Sequence, residues 1–195
     1  MKHLRNLMAL AIAGLLATSG MAMTKEEHKA AKDRIEADYK AAKAQCDTLS
    51  GNAKDVCEKE AKGNEKVAKA ELEAQYKPSD KHTYKVHEAR ADADYEVAKE
   101  KCDDLAGNAK DVCKKDAKAA HVAAKEKAKV ARAEAKPAAG PNNNLAKQAN
   151  VAEAKKDASQ EVREANYKAA KERCDALSGD AKDKCVADAK REYAQ

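Results

Sequence analysis

Three stretches of the chain repeat one arrangement of apolar positions, four and three residues apart. Ile35, Tyr39, Ala42, Cys46 and Leu49 form the first, Ala91, Tyr95, Ala98, Cys102 and Leu105 the second, and Tyr167, Ala170, Cys174 and Leu177 the third. This spacing draws a stripe along one face of an α-helix, with charged residues on the other faces. The segments that follow are more weakly marked, by Val56, Val67 and Leu72 and then by Val112, Val122 and Val130. Gly63-Asn64 is expected to bend or loosen the first of them. The pattern predicts helices over about 25–49, 53–76, 81–106, 109–136, 145–178 and 181–194.

Each stripe ends in the same cysteine motif. Cys46-Asp-Thr-Leu-Ser-Gly-Asn-Ala-Lys-Asp-Val-Cys57 recurs as Cys102 to Cys113 and again as Cys174 to Cys185, and these copies contain all six cysteines. In one unbroken helix the two cysteines of a copy would lie ~16 Å apart. A disulfide needs α-carbons about 5–6 Å apart. Local pairing therefore requires the chain to reverse between them, and the intervening residues favour a turn. Gly51, Gly107 and Gly179 suit the left-handed position just past a helix end. Asn52, Asn108 and Asp180 follow them and are expected to cap the next helix, with Asp55, Asp111 and Asp183 in its first turn. The unit reads as a helical hairpin stapled near its turn. Tyr39, Tyr95 and Tyr167 stand seven residues before the first cysteine, on the disulfide side of their helices. They are expected to pack there with Leu49, Leu105 and Leu177. Local pairing is one of many connectivities that six cysteines allow, and bridges between chains are the other arrangement left open.

Composition argues against an ordinary core. The chain has no Phe and no Trp, and most of its apolar residues are alanine. Alanine buries little area, and burial yields ~25 cal/mol per Å². The same Ala, Lys, Glu and Arg content strongly favours helix. The expected fold is all-α: three disulfide-stapled antiparallel helical hairpins in an elongated or loosely stacked, coiled-coil-like array. The hairpins span 23–77, 81–136 and 145–195, with a Pro-, Gly- and Asn-rich linker at 137–144. In the loop-entropy account each staple adds ~2–3 kcal/mol, a large term beside an alanine interface.

The N-terminus points to export. Lys2 and Arg5 precede an apolar stretch from Leu7 to Leu16, and Gly20 and Ala22 are small residues before a cut after Ala22. Residues 1–22 thus read as a cleaved secretory signal. The apolar run falls short of the ~20 residues that cross a bilayer, so no integral membrane segment is expected after cleavage. Three local cysteine pairs suit the same oxidising destination, and the periplasm is the expected compartment.

Lys and Arg number 39 against 34 Asp and Glu, with a net charge of +5 and the two signs interspersed. Asp55–Lys59, Glu58–Lys62, Glu65–Lys69 and Asp111–Lys115 have the spacing of supporting helix-surface pairs. Nucleic-acid binding needs a concentrated basic footprint and is not expected. No glycine-rich phosphate loop and no His-Glu-x-x-His run occurs. The cysteine spacing is too wide for a zinc knuckle, and redox-active dithiols favour Cys-x-x-Cys. The expectation is no catalytic residue, no cofactor and no metal.

The Ala-Lys-Glu helices, as in Tyr167-Lys-Ala-Ala-Lys-Glu-Arg and Glu153-Ala-Lys-Lys-Asp, resemble the helical section of TolA-like exported envelope proteins. The resemblance covers most of residues 24–136 and 145–195. It implies a periplasmic or envelope-spanning role and carries over no catalytic or ligand residue. The expected function is a non-enzymatic structural or protein-interaction component of the cell envelope. Its partner would be an envelope protein or a cell-wall component. The alternative is a periplasmic chaperone or stress-protective protein that cradles unfolded clients.

Overall fold

The computed structural model describes residues 22–138 and 144–194. Among these residues six α-helices follow one another: α1 (Lys25–Cys46), α2 (Gly51–Tyr76), α3 (Asp80–Lys101), α4 (Gly107–Ala135), α5 (Asn144–Cys174) and α6 (Gly179–Glu192). A 3₁₀ turn over Cys102–Asp104 extends α3. Among the described residues there is no β-strand, and no helix is long and apolar enough to cross a membrane. The signal-like segment lies almost wholly outside the described residues, as do residues 139–143 of the linker.

Helix starts follow the local chemistry. Thr24 and Glu27 form a reciprocal capping box at α1, Thr24 Oγ1 accepting from the Glu27 amide at 3.1 Å and Glu27 Oε2 from the Thr24 amide at 2.8 Å. Ser79 caps α3 by accepting from the His82 amide.

The approaching helices end earlier than the stripe predicts. They stop at the first cysteine of each copy, or in the 3₁₀ turn that holds it, rather than near Leu49, Leu105 and Leu177. The staple sets this boundary. Cα–Cα distances across Cys46–Cys57, Cys102–Cys113 and Cys174–Cys185 are 5.5, 5.6 and 5.7 Å. Reversal must therefore be complete a few residues past the first sulfur. The Leu49, Leu105 and Leu177 amides each donate to the carbonyl of Cys46, Cys102 and Cys174 at 3.0 Å, closing a tight turn. Ser50, Ala106 and Ser178 are then extended. Gly51, Gly107 and Gly179 take φ of 58°, 54° and 57° and begin the return helices. The left-handed glycine is thus the first residue of the second helix, and the expected start two residues later is corrected. A side chain at that φ would be strained.

Each helix packs antiparallel against the helix before and after it in sequence, giving a single layer. Contacts between hairpins, α2 on α3 and α4 on α5, are more extensive than those inside them. The hairpins are therefore stacked side by side, and α5 lies along α4 despite the linker before it. The core is the thin alanine seam that the composition implies. Cys46, Cys102 and Cys174 are fully buried, and Ala61, Ala91, Ala117, Ala119, Ala128, Ala158, Ala169, Ala189 and Leu72 are buried along the helix contacts. Gly63 does not bend α2, which runs through it unbroken. It allows a close approach instead: a Cβ there would lie 2.8 Å from Ala93 Cβ on α3.

Candidate interaction edge

The antiparallel order brings all three stapled turns to one edge of the layer, while the α2–α3 connection sits at the other. At an interaxial distance of about 8–10 Å, successive staples are about 16–20 Å apart. The turns are near copies. In each, the Asp after the first cysteine accepts a hydrogen bond from a lysine of the return helix: Asp47 from Lys54 at 2.8 Å, Asp103 from Lys110 at 2.9 Å and Lys114 at 2.8 Å, and Asp175 from Lys182 at 2.8 Å. These bonds lower the carboxyl pKa in all three, and Asp103, held by two lysines, falls to about 2. The edge therefore carries neutralised acid–base clasps.

Each turn also carries a leucine two residues after its Asp. Leu49, Leu105 and Leu177 are each 44% exposed. They lie past the helix ends, in the turn, so their predicted place in the hairpin seam is corrected. The stripe continues the helical spacing in sequence, but the backbone leaves the helix at the cysteine. The result is a row of equally exposed leucines at a fixed interval.

The turn polar residues also differ from expectation. No side chain caps α2, α4 or α6 from the N-cap position. Asn52 is not a cap: its Nδ2 donates to the Glu100 carbonyl near the end of α3, at 3.2 Å. Asn108 does the same to the Glu172 carbonyl near the end of α5, at 2.9 Å. Each asparagine thus ties its hairpin to the next one. Asp180 lies in the first turn of α6, the last helix of the described residues.

The tyrosines meet the return helices on the first two hairpins. Lys62 lies over the Tyr39 ring at 4.9 Å. Tyr95 stacks on His121 with centroids 4.6 Å apart and has Lys118 over it at 5.3 Å. Tyr167 is half-buried on α5. Beside these rings sits a position that the helix-surface pairing of Glu65 with Lys69 placed in solvent and that is buried instead. In the first hairpin it is Glu65, buried and held by Lys62 and Lys69, each at 2.7 Å. In the second, 56 residues on, it is His121, whose Nε2 lies 2.6 Å from Asp92 Oδ1 and whose Nδ1 is buried without a partner. The lysine bonds lower the Glu65 pKa, Lys62 contributing most. The signal available in the sequence was the alignment of the two copies.

All six cysteines are paired. Among the described residues no group of three or more His, Cys, Asp or Glu is placed to hold a metal ion. Three disulfides fit an oxidising, extracytoplasmic compartment. Comparison with protein-family models, curated proteins and solved structures finds no match.

Proposed function

We propose that the protein is a non-enzymatic periplasmic component of the cell envelope, working as a structural or protein-interaction element. The observation that carries this reading is the repeated edge: three half-exposed leucines, each beside a neutralised Asp–Lys clasp, held in line by stapled turns. Such an edge suits an elongated or repeating partner, because separate weak contacts on one rigid body reinforce one another. The signal-like residues 1–22 support export with cleavage after Ala22, and the TolA-like helical composition supports the envelope as its place of work.

The test is photocrosslinking in the exporting cell, with a photoreactive amino acid at position 105 and a control at exposed position 64. One dominant envelope protein or wall-linked species, captured from 105 and not from 64, supports the reading. A broad set of newly exported unfolded proteins would replace it with the chaperone reading, for which exposed leucines on a stable scaffold would also serve.

A further inference from the structure

The joint between hairpins is built twice from corresponding residues. Besides Asn52 to the Glu100 carbonyl, Lys59 pairs with the Glu100 side chain at 3.7 Å and Lys101 with Glu60 at 3.1 Å. Between the second and third hairpins, Asn108 bonds the Glu172 carbonyl, Lys115 pairs with Glu172 at 3.8 Å, and Arg173 pairs with Asp116. The joint has a donor face, made of Asn, Lys, an acid and a small residue on the return helix. The small residue is Gly63 in the first copy and buried Ala119 in the second. Its acceptor face is the Glu–basic pair just before the first cysteine of the next hairpin. The two faces differ, so the interface is head-to-tail and could in principle extend without limit.

The two outer faces of the array are where it would extend, and both have lost the joint. On α1 the positions matching Glu100-Lys101 and Glu172-Arg173 are Ala44-Gln45. On α6 the Asn position is Asp180, whose carboxylate cannot donate to a carbonyl, and the Lys position is Ala187. The acid survives as Asp188 but is engaged within its own helix by Lys184 and Arg191. The small residue becomes Arg191, 78% exposed at its side chain, at the position where Gly63 meets Ala93 in the first joint and Ala119 is buried in the second.

We propose that the outer faces of α1 and α6 are encoded end caps, which prevent a second copy from adding head-to-tail. Repeat arrays need polar terminal faces for solubility. Here the device is removal of the joint's donors and acceptors, with an arginine in place of the glycine. This goes beyond the proposed envelope role and does not depend on it.

The test is sedimentation velocity on the mature chain across a wide concentration range, with circular dichroism as a check on folding. The native protein is expected to hold monomer mass throughout. Two variants each restore one face: A44E/Q45K on α1, and D180N/A187K/R191A on α6. Each is expected to stay monomeric alone, while an equimolar mixture forms heterodimers and the combined five-substitution variant forms longer chains. Folded variants that stay monomeric on mixing would overturn the assignment of the joint. Native protein that associates with concentration, through crosslinks joining α1 to α6 of another copy, would overturn the end caps even if the variants failed to fold.

Discussion

The first two hairpins are built alike and filled differently. Both have a stapled turn, a left-handed glycine, a tyrosine with a lysine over it and an asparagine reaching the next hairpin. Yet the position beside the tyrosine is a carboxylate in one and an imidazole in the other. Glu65 is satisfied by two lysines of its own helix, whereas His121 reaches across to Asp92 and stacks on Tyr95. The neighbours track the exchange only in part: Lys69 and Lys125 face Glu36 and Asp92 at 3.6 and 3.7 Å in both. The shared scaffold is therefore set by the turn and the staple, and the seam tolerates different polar fillings because its rim opens to solvent. Shared features should respond equally in the two hairpins and differing ones unequally.

The largest effect is expected from the staples. Cys46→Ser with Cys57→Ser, and Cys102→Ser with Cys113→Ser, should each lose about 2–3 kcal/mol in denaturant unfolding, by similar amounts. Reducing all three should lower Tm by more than about 10 °C while leaving substantial helical circular dichroism. An unchanged melting curve would mean that the alanine seam holds the hairpins unaided.

Next come the close approaches. Gly63→Leu should cost about 2–3 kcal/mol, because even a Cβ meets Ala93 at 2.8 Å. Ala119→Leu should cost less, since a Cβ is already accommodated there. Equal losses would show that the α2–α3 contact is no tighter than that of α4 on α5.

The asparagines should again behave alike. Asn52→Ala and Asn108→Ala should each cost about 1 kcal/mol, and the Asp variants more, since a carboxylate would face a carbonyl. Thermal melts of the four variants check the order; an Asp variant as stable as wild type would refute the inter-hairpin bond.

The smallest effect is acid dependence. The folded-state pKa of Glu65 is lowered. Its contribution is therefore present above the unfolded carboxylate pKa and is lost as pH falls through the lowered value. Amide protection in α2, measured against the intrinsic exchange rate at each pH, should fall below about pH 4.5, and Glu65→Gln should flatten that response. Asp103, with its pKa of about 2, should keep its clasp to lower pH than Asp47.

The hairpins, their pairing and the glycine turns were legible because each rests on a local constraint: cysteine spacing, helical periodicity and a backbone angle that favours glycine. Two site features were not. Asn52 and Asn108 read as caps because their type and place fit one, whereas the group they reach is a backbone carbonyl, which leaves no mark in sequence. Leu49, Leu105 and Leu177 keep helical spacing, so periodicity assigned them to the seam. Only the staple distance forces the helix to end at the cysteine and turns them outward. Stacking was also hidden, since it depends on pairs such as Lys101–Glu60 that resemble any solvated charge until the two hairpins are placed together.

Zero-length carbodiimide crosslinking of the monomer, followed by peptide mapping, tests the central claim most directly. Side-by-side stapled hairpins predict intramolecular Lys101–Glu60, Lys59–Glu100 and Lys115–Glu172 links, since each pair lies within 4.0 Å. Links confined to single hairpins, with none joining one hairpin to the next, would contradict the stacked array.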